Sequence, residues 1–137
     1  MSEPSLRAAA LWDAFNARDL DVLQELIAEE FVNDAALPGT PSGPAGMAAV
    51  WQRLWRALPD ARFTTEVVMR EGDTVISIGT MEGTHQGELM GIQPSGRRVR
   101  WQQCHVVRVD ADGRVLHHRG IRDDLAFLRQ TGAAFGT

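Results

Sequence analysis

The residues of this chain that are suited to acid–base chemistry cluster near its C-terminal end, on two extended segments joined by a turn. The turn, Asp110-Ala111-Asp112-Gly113, predicts a three-residue hairpin loop with its glycine in the left-handed region. That loop pairs Asp110 with Arg114, and counting outward then places His105 opposite Arg119. Because directly opposed residues point to the same face of a sheet, one side of the hairpin is predicted to carry Trp101, Gln103, His105, Arg119 and Asp123. A two- or four-residue turn would shift the register by one residue and scatter this set.

Three of these side chains are of types suited to proton transfer next to a carbonyl group, and we predict that chemistry. An apolar pocket raises the pKa of a carboxyl group, so Asp123 is predicted to act as the general base. His105 is predicted to donate a hydrogen bond to the developing oxyanion, with Arg119 opposite it as a fixed positive charge. Two alternatives stay open: Asp123 caps the helix that follows it, and His105 and Arg119 form a structural pair.

The predicted substrate-binding residues are aromatic, flexible or polar side chains spread along the chain: Asn33, Trp51, Trp55, Met81, His85, Trp101 and Gln103. Flat aromatic rings suit polycyclic ligands, although Trp51 and Trp55 are equally consistent with a plain helix core. No His, Asp or Glu spacing matches a metal-ligand set, so we predict no metal. The chain has no lysine for an imine and one cysteine, Cys104. We therefore predict a reaction without a cofactor.

The elements that must position these residues are helices in the first 60 residues and strands after them. Helical spacing of apolar residues predicts one helix across Ala8, Leu11, Trp12 and Phe15. A second helix is predicted to start at Asp19 and to turn Leu23, Leu26 and Ile27 inward. A third runs from Met47 to Leu58. Runs rich in β-branched residues predict strands at 63–70, 74–84, 98–109 and 114–121, followed by a short helix over about 124–130.

This order of elements predicts an α+β fold. We expect a cone-shaped, curved antiparallel sheet with the N-terminal helices packed on its concave face, enclosing a pocket. The length of 137 residues fits a single domain, residues 1–137. The net charge of −4 and the scattered arginines argue against nucleic-acid binding, and no apolar run is long enough to span a membrane. With no secretory signal in evidence, the chain is expected to be cytoplasmic.

Four runs of the sequence, taken in order, resemble the SnoaL-like polyketide cyclase family. They lie at 15–20, 83–88, 91–99 and 123–130, and the resemblance extends over about residues 8–133. It implies the cone fold shared with nuclear transport factor 2 and ketosteroid isomerase, and it implies a homodimer. In cyclases of this family an aspartate near the end of the last strand acts as general acid/base, and the matching position here is Asp123.

The leading functional hypothesis is therefore a cofactor-independent cyclase or isomerase that closes a ring in an apolar, polycyclic precursor of secondary metabolism by an intramolecular aldol reaction. An alternative is epoxide opening, which in its hydrolytic form needs two carboxylates around a water and so would need Asp34 to reach the pocket. A third hypothesis is a protein that only binds a small molecule.

Overall fold

The fold is known from a computed structural model, which describes residues 3–34 and 36–133, with side chains from residue 10 onward. The elements follow in the order α1 (Glu3–Ala17), α2 (Leu20–Leu26), β1 (Ile27–Asn33), α3 (Gly43–Ala57), β2 (Arg62–Glu71), β3 (Thr74–Thr84), β4 (Arg98–Val109), β5 (Val115–Arg122) and α4 (Asp124–Gln130). Residues 1–2, 35 and 134–137 of the predicted domain lie outside this description. Within the described part of the chain, no helix is long and apolar enough to span a membrane.

The strands form one open, curved sheet in the order β1-β5-β4-β3-β2. The four strands β2 to β5 form the predicted antiparallel meander. The sequence did not predict the strand β1, which pairs with β5 in parallel. The sheet is therefore mixed, and β1 brings the N-terminal part of the chain beside the last strand.

The second helix is shorter than predicted. It starts where expected, since the Asp19 carboxylate accepts a hydrogen bond from the Val22 amide at 3.0 Å. It ends at Leu26, and Ile27 already has the extended backbone of a strand, with φ −104° and ψ 129°. Ile27 is buried as predicted, but as the first residue of β1, whose last residue is Asn33.

The core lies between the helices and one face of the sheet. The helical stripes of α1 and α3 supply Leu11, Trp12, Phe15, Met47 and Trp51, each 5% exposed or less. β4 alternates between buried and exposed or half-buried side chains along its length, so its buried residues all face the helices. The α+β cone predicted from the order of elements is confirmed, and its concave face is where a pocket forms.

Candidate active site

The polar floor of the pocket is built by strands β4, β5 and β1. Gln103 and His105 are on β4, His118 and Arg122 are on β5, and Asn33 ends β1. The Cα pairing places His105 opposite Gly120 and Gln103 opposite Arg122, while Asn33 pairs with His118 across the parallel edge. All five polar side chains line the same cavity.

The register of the β4–β5 hairpin differs by one residue from the predicted one. The turn itself is as predicted: Asp110 donates its amide hydrogen to the Arg114 carbonyl at 2.9 Å, and Gly113 has φ +82°. Val109 then pairs with Val115, but Arg108 pairs with His117, so Leu116 is left unpaired in a β-bulge. Beyond the bulge every residue of β5 faces the side opposite to the one predicted.

The bulge has a physical reason. Without it, Val115 would face the core together with Arg119 and Asp123, and burying those two charged side chains costs several kcal/mol for each ion that lacks a partner. With the bulge, Val115 and His118 are both buried and Arg119 is exposed. The extra residue keeps the apolar start of the strand inside and turns its charged middle outward.

Asp123 and Arg119 therefore lie away from the pocket, and the predicted grouping of these two residues with His105 was wrong. Arg119 pairs with Val106 on the outer face. Asp123 is exposed, and its carboxylate accepts a hydrogen bond from the Ala126 amide at 3.2 Å as the N-cap of α4. Asp123 therefore makes the contact expected from the alternative in which it caps the following helix.

The two pocket histidines form a hydrogen-bonded pair. His105 Nδ1 lies 2.8 Å from His118 Nε2, His105 Nε2 lies 2.7 Å from Gln103 Oε1, and His118 Nδ1 lies 2.7 Å from Asn33 Oδ1. His105 is 6% exposed and His118 is 5% exposed. The ring of Trp12 lies over His105 with 4.2 Å between the centroids, and Phe63 packs against it edge-on.

Burial keeps both imidazoles uncharged at neutral pH. Desolvation lowers the pKa of His105 well below its ordinary value, and the neighbouring His118 and Arg122 lower it further. Desolvation, followed by the charges of His117 and Arg122, lowers the pKa of His118 to about 4. An uncharged imidazole has a lone pair that can accept a proton, so this pair is a candidate general base.

The pocket walls are apolar and come from three directions. Helix α3 contributes Met47, Val50, Trp51 and Leu54 at helical spacing, and α1 contributes Trp12 and Phe15. Met81 and Trp101 extend the wall along β3 and β4. The cavity between these walls has a volume of about 100 Å³. Of the predicted binding residues, Asn33, Trp51, Met81, Trp101 and Gln103 line the cavity, as does the predicted catalytic residue His105.

Trp55 and His85 do not line this cavity. Trp55 lies one helical turn beyond Trp51 along α3, and the Arg18 guanidinium lies over its ring at 5.2 Å from the centroid. His85 is fully buried, but its Nδ1 binds the Ser95 hydroxyl at 2.9 Å and its ring packs against Phe127. Both side chains are engaged in packing, so their predicted place in the pocket was wrong.

A short hairpin covers the mouth of the pocket. Leu89 and Ile92 exchange two backbone hydrogen bonds, of 3.1 and 2.9 Å, around a two-residue turn at Met90 and Gly91. Both turn residues have positive φ, +53° and +76°, which this tight type of turn requires. The turn presents Leu89 and Met90 to the cavity.

Sequence reasoning missed His118 and Arg122. Arg122 lines the mouth of the cavity, and its Nε and Nη2 donate to the two carboxylate oxygens of Asp124 at 3.2 and 3.3 Å. The sequence feature that could have revealed both residues is the spacing of three positions between Val115 and His118. Residues three apart lie on opposite faces of an unbroken strand, so burying both requires a bulge between them. His117, the neighbour of His118 in sequence, faces outward and binds Asp34 at 2.9 Å. Among the described residues, no group of three or more potential metal ligands comes together.

Comparison with known proteins assigns the chain to a family. The model of the SnoaL-like polyketide cyclases matches residues 6–131. The aklanonic acid methyl ester cyclase DauD of Streptomyces sp. strain C5 is 32% identical over 128 residues, covering 91% of this chain and 79% of its own. The nogalonic acid methyl ester cyclase of Streptomyces nogalater is 32% identical over 122 residues, covering 87% and 90%. The crystal structure of IdmH from Streptomyces antibioticus is 36% identical, superposes with a TM-score of 0.80 and covers 96% of this chain and all of its own. This chain therefore belongs to the SnoaL-like polyketide cyclase family.

Proposed function

We propose that this chain catalyses ring closure of a polyketide carbonyl compound by proton transfer inside the cavity. The observation that carries the proposal is the buried, uncharged His105–His118 pair on the floor of an apolar-walled pocket. Relatives at about a third identity support the reaction type, since DauD and the Streptomyces nogalater protein are both named as cyclases of carboxylic acid methyl esters.

The reaction is an intramolecular aldol addition. The histidine pair removes a proton from a carbon next to a carbonyl group, and the electron pair of the broken C–H bond stays on the substrate as an enolate. The enolate carbon attacks a second carbonyl carbon, forming a C–C bond, and the resulting alkoxide takes the proton back. No atom is gained or lost, so the product is an isomer of the substrate.

Two further features of the cavity suit this reaction. Arg122 supplies a positive charge at the mouth, where it stabilises negative charge on a carbonyl oxygen. The aromatic and aliphatic walls hold a flexible chain in a folded conformation, which brings the two reacting carbons together. We therefore propose a small, largely apolar ligand with at least two carbonyl groups.

The geometry favours the histidine pair over Asp123 as the general base. The Asp123 carboxylate is engaged in capping α4 on the outer face, so it does not face a ligand in the cavity. Hydrolytic epoxide opening is disfavoured for a related reason. The described residues that line the cavity include no aspartate or glutamate, and Asp34 is bound to His117.

The direct experiment is to incubate the protein with aklanonic acid methyl ester and with nogalonic acid methyl ester. We expect a cyclised isomer of unchanged mass by chromatography coupled to mass spectrometry. Binding can be followed in parallel through tryptophan fluorescence, because Trp12, Trp51 and Trp101 line the cavity. Binding of both esters with no isomer formed would contradict the proposal and favour a protein that only binds its ligand.

We also propose that the chain acts as a homodimer through the outer face of its sheet. Two rows of apolar residues cross this face in the Cα pairing. One runs from β2 to β4 through Met69, Ile76 and Val106, and the other runs from β2 to β5 through Val67, Ile78, Cys104 and Ile121. Ile121 is 62% exposed and Met69 is 53% exposed. A twofold axis lets this one patch meet its own copy. Sedimentation of the wild type and of Ile121→Asp should show a dimer and a monomer, and a monomeric wild type would contradict the proposal.

A further inference from the structure

The cavity in its present, closed form is too small for the ligand that the proposed function requires. Its volume of about 100 Å³ is below the roughly 150 Å³ of an apolar cavity that holds one benzene ring. A molecule that closes a ring contains at least the atoms of that ring and two carbonyl oxygens, so it is larger than benzene. Its reacting carbons must also reach His105 and His118 on the floor of the cavity. One wall therefore has to move before such a ligand can bind.

Most of the cavity wall is fixed by the fold. Four buried side chains, each 5% exposed or less, line the cavity from α1, α3, β3 and β4: Trp12, Trp51, Met81 and Trp101. The aromatic rings also pack on one another, since the centroids of Trp12 and Trp51 are 6.4 Å apart. Moving one of these elements would break helix or sheet contacts and expose buried apolar surface to water. These parts of the wall are therefore unsuited to opening.

The mouth hairpin, residues 88–94, is attached to the protein in a different way. Within the described part of the chain, its residues form hydrogen bonds only with one another: Leu89 pairs with Ile92, and the Glu88 carboxylate accepts from the Gly91 amide at 2.7 Å. The hairpin contacts the body of the protein through apolar side chains, since Leu89 and Ile92 pack against the core. It can therefore move as a unit and keep all of its own hydrogen bonds.

Both ends of the mouth hairpin are anchored. On one side, the amides of Gln86 and Gly87 donate to the Ala57 carbonyl at the end of α3, at 2.9 and 3.0 Å. On the other side, the Ser95 amide donates to Nδ1 of the fully buried His85 at 3.2 Å. The movable segment is therefore bounded by two fixed points, as in a loop that opens about hinges at its ends.

We propose that the mouth hairpin is the movable wall that admits the ligand, and that Leu89 and Met90 on it determine which ligands fit. This inference rests on the proposed cyclase function for the size of the ligand. Leu89 and Met90 line the cavity, and Met90 has a flexible, unbranched side chain that can adapt to the shape of a ligand. Ile92 packs against the core but is not among the residues that line the cavity. Its role is to hold the hairpin closed.

The test is stopped-flow tryptophan fluorescence with anthraquinone-2-sulfonate, a flat quinone that quenches fluorescence and is larger than the closed cavity. Trp12, Trp51 and Trp101 line the cavity and report binding. In the main variant, Gly-Gly replaces Leu89–Ile92, which shortens the hairpin and keeps a two-residue turn. We expect the quinone to associate with this variant at least about tenfold faster than with the wild type, because binding that requires a conformational change is slow. Equal association rate constants would overturn the inference, and so would the absence of quenching in both proteins.

Ile92→Ala tests the closing contact and leaves the cavity lining intact. We expect its association rate constant to rise by about 3- to 10-fold, since opening then exposes less apolar surface and the open form is more populated. Leu20→Ala is the matched control: Leu20 is also half-buried against the core, but it lies on α2 and does not line the cavity. An equal rise in variant and control would contradict the inference. If the shortened hairpin prevents folding, Ile92→Ala carries the test alone. Because the quinone is not a substrate for ring closure, a failed ester assay counts against the proposed reaction and leaves this result readable.

Discussion

On the inner face of the β4–β5 hairpin, His105 and His118 are buried, hydrogen-bonded to each other and held without charge. On the outer face of the same two strands, Arg119 and Asp123 lie exposed, and Asp123 caps a helix. Both faces carry ionisable residues only a few positions apart in sequence. The two sets of residues differ in burial. Burial lowers the pKa of the inner histidines, whereas the outer residues keep their contact with water.

One residue decides which group lies on which face. Leu116 is left unpaired between Val115 and His117, and without it the inner and outer sets of β5 would be exchanged. The comparison teaches that in a half-buried strand the ionisable residues follow the placement of the apolar ones. Val115 had to be buried, and the position of the candidate active site followed from that.

The largest effect on turnover is expected when a histidine of the inner face is replaced. In the ester cyclisation assay, His105→Gln should lower kcat by about 10²–10⁴-fold, the usual range for loss of a positioned general base. His117→Gln is the matched control, since His117 faces outward and binds Asp34. We expect that control to stay within about threefold of wild type. Equal losses in the two variants would argue against a special role for the inner face.

Acid should destabilise the protein because the buried histidines of the inner face bind protons more readily in the unfolded chain than in the folded one. Below an unfolded-state pKa of about 6.5 the unfolded chain binds a proton at His118, whereas the folded chain does not bind it until about pH 4. Stability is therefore full above pH 6.5 and falls as the pH drops towards 4, by about 3 kcal/mol for this histidine. His105, whose pKa is lowered as well, adds to the loss. Urea unfolding at several pH values measures this, and His118→Gln should flatten the profile; an unchanged profile in that variant would contradict the assignment.

A carboxylate introduced on the inner face should raise the lowered pKa of the histidine pair. A Cβ at Gly120 would lie 3.4 Å from His118 Cε1 and 3.6 Å from His105 Nδ1, which is ordinary contact. Gly120→Asp should therefore raise the pKa of the pair by about 1–3 units, as an opposite charge at this distance does. Gly120→Asn has the same shape without the charge and should leave the pKa low. NMR titration compares the two, and a similar pKa in both variants would show that the pair does not sense charge at this position.

The smallest effect is expected on the outer face. Asp123→Ala removes the helix cap and should lower the free energy of unfolding by about 1 kcal/mol. Asn is an equally good cap, so Asp123→Asn should retain nearly all of the stability. Thermal unfolding of the three proteins measures the difference. A loss of stability in Asp123→Asn as large as that in Asp123→Ala would mean that the carboxylate has a role other than capping.

Local sequence patterns were sufficient for most of the fold. The stripe of Met47, Trp51 and Leu54 predicts both α3 and its contribution to the pocket, and the alternation along β4 places Trp101, Gln103 and His105 inside. The Asp110-Ala111-Asp112-Gly113 turn also forms as predicted. These features depend on contacts between near neighbours in sequence, which composition and spacing encode directly.

The rest depended on contacts between distant segments. The bulge at Leu116 arises because burial of Val115 and exposure of Arg119 are incompatible with an unbroken strand, which the turn alone does not reveal. Asn33 was predicted as a pocket residue, but its contact with His118 requires the parallel pairing of β1 with β5. Trp55 and His85 have the residue types of a ligand pocket, but their partners Arg18 and Ser95 hold them elsewhere.

The central claim is that the inner face of the hairpin carries the acid–base chemistry and the outer face does not. The turnover number of Asp123→Asn in the cyclisation assay tests it most directly, because this variant removes the outer carboxylate and keeps the helix cap. The account predicts a kcat within about threefold of wild type, since a general base contributes at least about a hundredfold. A loss of a hundredfold or more, in a folded protein that still binds the ester, would contradict it.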